Sequence, residues 1–463
     1  MNPSRWVTTL LTLGIALVCP GPGFTAAVPE AASRPPEAQS IPSRVLDWKA
    51  AIETGLEHNP LIPMAQRGVD IADALLKQDQ SVNYPWISAY WANSGGNTRV
   101  LANLGISGSL PKPTNYLTTP GLRADFLITD FGHTAHKLLS SKALRSAMEQ
   151  DVLAIKALVI LRVQQAYLAC LKQARLVEIA REVLNERELI RTQAEEYYRH
   201  KLRSKLDLDF STVEARKAEL ALVRAQNDRL AAFAVLSTAM GVQTTVQYEL
   251  ENVSLEIQAA EPLEVLFDRA LVQRPELQGS AARQKAGRQA VEAAKALHFG
   301  HVDAIGTMAS TWWSRPEYNP GGTQKNPGLQ QGWWGAAAAG SFPIFTGFRI
   351  QGQVDEARGR SDEVQAETRL LANDVVFQVA QAYLSRLTSE QQIRVAEERV
   401  AHAREALTLA RERYKAGLGS ILDVTTATAG LLGAQVGLAD AQYDYRGSDA
   451  ALAYASGSEY RRH

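Results

Sequence analysis

The spacing of hydrophobic positions along this chain changes several times, and the changes come in the same order twice. Val375, Val379, Ala382 and Tyr383, then Ile393, Ala396, Val400, Ala403, Leu407 and Ala410, recur at helical spacing. They lie in one of two proline-free stretches, His133–Tyr198 and Arg349–Tyr414. Each stretch predicts a helix on the order of 100 Å long. A helix of that length cannot close around one compact core, so its apolar stripe reads as a coiled-coil-like seam. Ahead of each lie a short helix ending at a proline (Asp47–His58; Leu263–Gln273) and a longer one (Leu61–Val82; Glu276–Leu297). Next come paired stretches of strand composition, Tyr84–Ser94 with Leu117–Ile128 and His301–Ser314 with Trp333–Phe345. Loops rich in Gly, Pro and Asn join them. A further helix returns after each long one, Leu208–Met240 and Val424–Ser456.

The repetition extends to individual residues. YRHKLRSKLD (Tyr198–Asp207) and YKAGLGSILD (Tyr414–Asp423) agree at five of ten positions, 216 residues apart. VQQAYL (Val163–Leu168) recurs as VAQAYL (Val379–Leu384), and Gly241 corresponds to Gly457, at the same offset. LEHNP (Leu56–Pro60) matches LVQRP (Leu271–Pro275) at 215, while ITDFG (Ile128–Gly132) and IFTGF (Ile344–Phe348) are looser counterparts. The chain is therefore two copies of one unit, residues 46–241 and 263–457. The connector 242–262 alternates polar and apolar residues and suits a small mixed region. Residues 28–45, with four prolines, form an extended lead-in, and 458–463 a short tail.

Six of the eight tryptophans fall in or beside the strand stretches: Trp86, Trp91, Trp312, Trp313, Trp333 and Trp334. Outer-membrane barrels carry aromatic girdles at both interfaces, and Leu122-Arg123-Ala124-Asp125-Phe126 alternates as a lipid-out, lumen-in strand does. The GWWGAAAAGSF stretch does not alternate, and a soluble hairpin with buried tryptophans is the competing reading. Four strands cannot close a transmembrane barrel, because an unpaired edge in lipid is forbidden. If these strands enter a membrane, several chains must share the barrel, and three copies supply twelve strands. The apolar run Leu153–Leu171 is interrupted by Lys156, Arg162 and two glutamines, so it reads as a helix packed on two sides rather than a membrane span.

Charge adds little to this picture: 49 basic and 49 acidic residues give no field for nucleic acid. The N-terminus adds more. One Arg, an apolar run Trp6–Val18 and small residues at Thr25 and Ala27 read as a secretory signal, residues 1–27. A lipidated Cys19 is the rival, against which bulky Val18 argues. Removal of the signal leaves Cys170 alone, so no intrachain disulfide can form. No catalytic constellation, nucleotide loop or cofactor motif is present, so the chain reads as a non-enzyme without cofactors. His133-x-x-His136 and His298-x-x-His301 have metal-compatible spacing but no supporting cysteine or carboxylate cluster; interfacial packing is the better reading, and no metal site is assigned.

The ordered set of features resembles the TolC-type outer-membrane efflux channel family over about Leu46–Gly457. The features are the duplicated unit, Pro60 and Pro275, the FG-like turn, the two AYL motifs (Ala166–Leu168 and Ala382–Leu384) and Tyr414-x-x-Gly417-Leu418-x-Ser420-x-Leu422-Asp423-Val424. The resemblance implies a mainly helical chain with membrane strands. Its homotrimer would form a twelve-stranded β-barrel in outer-membrane lipid, continued by a long periplasmic α-barrel. It further implies a passive exit duct in a Gram-negative cell, docked on a periplasmic adaptor and an inner-membrane RND, ABC or MFS pump, serving efflux or type I secretion. The repeated element then marks the periplasmic mouth. Tyr198 and Tyr414 close helix ends there, and Ser204-x-x-Asp207 and Ser420-x-x-Asp423 fit capping boxes. The resemblance further assigns Asp423 to a ring lining the mouth and Ala416, Gly417 and Leu418 to adaptor docking, with Lys201 and Leu202 as counterparts. Gly417 suits a left-handed cap; with Lys201 as its counterpart, that cap is not required by geometry in both copies. Where relatives carry a clasping arginine this chain has Gly419, with Arg203 nearby in the other copy, and where some carry a second acid it has Thr426. The clasp is therefore looser or differently wired. A periplasmic adaptor-like hairpin protein without a pore is the alternative, and the duplication and the strand pairs argue against it.

Overall fold

A computed structural model describes residues 45–96, 115–243, 248–254, 256–257, 259, 261–314 and 329–458. The signal segment with Cys19, the lead-in before Val45, most of the interstrand loops and the tail after Ser458 lie outside the described residues. The first copy comprises β1 (Val45–Leu46), α1 (Trp48–His58), α2 (Leu61–Gln80), β2 (Trp86–Gly96), β3 (Asn115–Thr129), α3 (His133–Arg199) and α4 (Lys205–Met240). After β4 (Glu249–Leu250) come α5 (Leu263–Gln273), α6 (Pro275–Ala296), β5 (His301–Ser314), β6 (Leu329–Ser341), α7 (Arg349–Lys415) and α8 (Ile421–Ala455). Both long helices run 67 residues, about 100 Å at the α-helical rise.

The duplicated backbone forms a wall four helices wide along its whole length. Above the equator the neighbours run α2–α3–α6–α7; below it they run α4–α3–α8–α7. Ile393, Val400, Leu407 and Tyr414, spaced in sevens on α7, are buried in the seam the sequence predicts. At the equator, the largest core joins α1, α3 and α4 through Val159, Val163, Tyr167, Leu236 and Met240. Its members take up much of the Leu153–Leu171 run, which accounts for that run's apolarity. The Tyr167 hydroxyl reaches the Leu46 and Glu251 carbonyl oxygens at 2.8 and 2.7 Å, anchoring the parallel β1–β4 pair that the connector builds. Gly241, at φ +76, ends α4 against α1: a Cβ there would stand 2.4 Å from the His58 carbonyl oxygen.

The four long strands form one antiparallel sheet in the order β2-β3-β5-β6, open at both edges. Strand β6 ends four residues before the boundary read from sequence, because Ser341, opposite His301, is its last ladder partner and Pro343 has no N–H to continue. Helices α4 and α8 start three residues earlier than read, immediately after Ser204 and Ser420, whose hydroxyls cap them.

Candidate functional site

Each hairpin tip is built from a Schellman turn followed by an N-cap. In the first copy the Lys201 and Leu202 N–H groups bond the Tyr198 and Tyr197 carbonyls at 2.9 and 2.8 Å. In the second, Gly417 and Leu418 bond Tyr414 and Arg413 at 3.1 and 2.8 Å. Lys201 stands at φ +57 and Gly417 at φ +77. This corrects the expectation that Lys201 frees the first copy from the left-handed cap. The turn imposes that conformation on both copies, and the lysine adopts it against its preference.

The two caps differ. The Ser420 hydroxyl accepts from the Asp423 N–H (3.2 Å) while Asp423 accepts from the Ser420 N–H (2.9 Å), a complete reciprocal box. Those backbone and hydroxyl bonds from Ser420 hold the Asp423 carboxyl below its ordinary range. In the first copy, Ser204 accepts from the Asp207 N–H at a longer 3.4 Å. Asp423 is exposed, as are Lys201, Leu202, Ala416, Gly417 and Leu418; Leu202 and Leu418 are 68 % and 74 % accessible. Leu206 and Leu422, which the repeated decapeptide shares two positions after its serine, extend this apolar surface.

The tyrosines are unequal as well. Tyr198 is exposed, whereas Tyr414 is buried beside Tyr197, with ring centroids 6.2 Å apart. Arg203 crosses from the first tip to the second. Its Nη2 donates to the Tyr414 carbonyl at 3.1 Å, and its guanidinium lies 4.8 Å from the centre of the Tyr414 ring. Higher up, the side chains of Glu186 and Arg411 pair, and Thr428 lies 3.3 Å from Glu186. Buried Arg187 donates to the Thr425 carbonyl at 3.1 Å. The two hairpins of one chain are thus laced together by the first copy's charged side chains. Arg203 was legible only as a residue near the place where a clasp is expected.

At the other end, strand register sorts the sheet into two faces. Ile87, Leu122, Ala124, Phe126, Met308 and Ala336 share one; Ser88, Arg123, Asp125, Asp303, Thr307 and Thr311 share the other. The alternation read at 122–126 holds. The tryptophans divide: Trp91, Trp312 and Trp334 lie on the apolar face, while Trp86 and Trp333 lie on the polar one. Trp313 stands opposite Leu117 in the ladder. Where strands meet helices, a further aromatic belt comes from phenylalanines the sequence reading did not single out. Phe131 lies 6.2 Å from Phe299 and 6.1 Å from Phe342, and Phe345 lies 5.9 Å from Phe348. The signal for it was the FG-like turn. Phe131-Gly132 and Gly347-Phe348 all take positive φ, which fixes the register of that repeat at 216. His133 and His136 face α6, reaching the Ala293 carbonyl and Gln289 Oε1, each at 2.8 Å. His301 lies 3.4 Å from Asp303, and His298 is exposed.

The fold recurs in solved outer-membrane channels. The Vibrio cholerae outer membrane protein VceC superposes with a TM-score of 0.74 at 20 % identity, over 89 % of this chain and 96 % of its own. The Campylobacter jejuni CmeC outer membrane channel gives 0.72 at 18 %, over 89 % and 86 %. The open-state Neisseria gonorrhoeae MtrE channel gives 0.71 at 20 %, over 89 % and 88 %. No curated protein matches the chain. The model of one family, described as outer membrane efflux protein, matches residues 51–242 and again 266–458, once per copy. On that double match the chain belongs to the outer membrane efflux protein family.

Proposed function

We propose that three copies of this chain close into a duct through the outer membrane and periplasm. It conducts substrates passively from a periplasmic adaptor and an inner-membrane pump to the exterior. The observation that carries the reading is the pair of unfinished flanks on one protomer. One flank ends in β2, α2 and α4; the other ends in β6 and α7. Both flanks expose apolar residues at matching heights above the tip: Val213, Val223 and Val235 on α4, and Leu409, Val395 and Leu384 on α7. Since α4 climbs from the tip while α7 descends to it, the stripes are antiparallel and can meet as a coiled-coil seam. At the sheet, bulky β2 (Trp86, Ile87, Trp91, all exposed) would face the small residues Ala336–Ala339 of β6 on the next copy. Two different flanks make a head-to-tail contact, which closes as a ring when the rotation allows. Closure also removes the free strand edges that lipid forbids.

In this reading the exposed tip leucines, with Ala416, Gly417 and Lys201, dock the adaptor. Asp423 rings the mouth, and Arg203 holding Tyr414 is the clasp. The reading is tested by cysteines at positions 213 and 409, which lie at matching heights on opposite flanks, joined by a bismaleimide in purified membranes. A ladder ending at the trimer is expected, together with conductance in planar bilayers. A water-soluble monomer that neither crosslinks nor conducts would sink the proposal.

A further inference from the structure

Above the equator one flank of the chain is α2 and the other is α7, and the chain already contains the pairing that would join them. The repeat offsets of 215 and 216 make α2 the counterpart of α6, and α7 the counterpart of α3. Within the chain, α6 packs on α3 where the two copies meet. On that antiparallel seam the Ser140 hydroxyl donates to the Ala286 carbonyl at 3.0 Å, and His136 and His133 reach Gln289 and the Ala293 carbonyl. Carried to the flanks by the same offsets, these contacts set Glu356 opposite Ile71, Gly352 opposite Ala74 and Leu75, and Arg349 opposite the Gln78 carbonyl. Side-chain sizes are exchanged between the two seams. Inside the chain α3 brings the bulk, with His136, and α6 answers with Ala286 and Ala290. On the flanks α2 brings it, with Ile71 and Leu75, 62 % and 52 % accessible, and α7 answers with Gly352 and Gly359. A Cβ added at either glycine meets nothing within 4 Å, so both leave open hollows on α7.

We propose that α2 of one copy seats on α7 of the next in the register that α6 holds on α3 within a chain. Leu75 then lies over Gly352, Ile71 fills the space between Gly352 and Gly359, and Arg349 meets the last-turn carbonyls of α2. A cation there faces the negative end of the helix dipole. The contact rests on the duct reading and adds to it the partner surface and register above the equator. The exchange of sizes also sorts the seams. Helix α2 placed on α3 would drive Leu75 against His136 and overpack the seam. Helix α6 placed on α7 would leave the hollow at Gly352 unfilled. Two unlike seams therefore alternate around the ring, and the two copies within a chain cannot trade places.

The test uses the full chain purified in detergent. Ile71→Cys with Glu356→Cys is oxidised beside two off-register pairs, Met64→Cys and Gln78→Cys, each with Glu356→Cys and each displaced by about 10 Å along the helix. Disulfide-linked trimer is expected from the first pair, and about tenfold less or none from the others, whose Cα atoms stand too far apart. A second arm reads the exchange of sizes. Gly352→His should raise the protein concentration at which trimers half-dissociate by about tenfold or more, with the helical signal of the chain unchanged. Adding Leu75→Ala, which reproduces the pairing of His136 with Ala290, should recover most of that loss. Stronger linkage in an off-register pair, a Gly352→His trimer as tight as the parent, or no recovery in the double variant would overturn the register. If positions 213 and 409 still join copies in any of those cases, the duct reading stands without it. If they also stay apart, both readings fall.

Discussion

Arg203→Ala tests the clasp directly. The side chain makes two contacts with the opposite hairpin: a charged hydrogen bond to the Tyr414 carbonyl at 3.1 Å and a stacking contact 4.8 Å from the ring centre. A hydrogen bond from a charged group is worth about 1.5 kcal/mol at the low end, which suits a half-exposed arginine. The cation–π contact adds about 0.5–1 kcal/mol. Together they give about 2 kcal/mol per protomer, or about a 30-fold shift toward separated tips. In planar bilayers the variant should spend correspondingly longer in open levels, and Arg203→Lys, which keeps charge but loses the fork, should fall between. Tyr414→Phe supplies the contrast. The Tyr414 hydroxyl is buried without a partner among the described residues, so its removal should leave gating intact and stability equal or higher. An Arg203→Ala trimer that opens like the parent, or a Tyr414→Phe trimer that opens freely, would refute the assignment of the clasp to the guanidinium and the carbonyl.

Asp423→Asn keeps an acceptor for the Ser420 N–H but loses the charge, so helix content should hold while cation preference in bilayer reversal potentials falls. Because the carboxyl is held below its ordinary value near 3.8, its contribution is complete above that value and is lost as pH falls through the lower, folded one. Acid titration of channel stability should therefore show a step below pH 3.8 that Asp423→Asn lacks. Lys201→Gly relieves a left-handed lysine and should raise the melting temperature, by about 1 kcal/mol in stability, whereas Gly417→Ala should lower it by a similar amount. Gly241→Ala drives a methyl to 2.4 Å from the His58 carbonyl oxygen. It should cost on the order of 3 kcal/mol or more, read as loss of folded trimer in thermal melts.

Much of this architecture was legible because local chemistry and global layout agree. Proline-free stretches became the two 67-residue helices, and the 216-residue offset reappears in the positive φ pairs at 131–132 and 347–348. The tip caps were readable from Ser and Asp spacing alone, since an N-cap depends on neighbours within four residues. What the sequence hid depends on distant neighbours. Arg203 meets Tyr414 across 211 positions, and no local pattern marks that meeting. Lys201 gave a wrong signal because a Schellman turn can override a residue's own preference. The tryptophans were counted as one group because composition does not resolve the two faces of a strand; ladder register does.

Duplication copied the backbone more faithfully than its interior. Position 170 holds a cysteine and position 386, its counterpart, a buried arginine; likewise 229 and 233 are Arg and Phe where 445 and 449 are Tyr and Asp. In the first copy, Cys170 joins a broad apolar core, and burial pushes its thiol up to about 12, so it is chemically quiet. In the second, the apolar cluster around Val375 and Val379 is smaller, and Arg386, Tyr445 and Asp449 take over below it. Apolar burial tolerates small displacements, whereas a desolvated guanidinium loses its compensation once its partners move by about an ångström. The waist of the second hairpin should therefore open first. Hydrogen exchange at sub-denaturing urea is expected to reach the amides of residues 379–393 and 441–455 before those of 163–177 and 225–239. Exchange in the reverse order would mean that the polar triad, not the apolar core, is the firmer of the two fastenings.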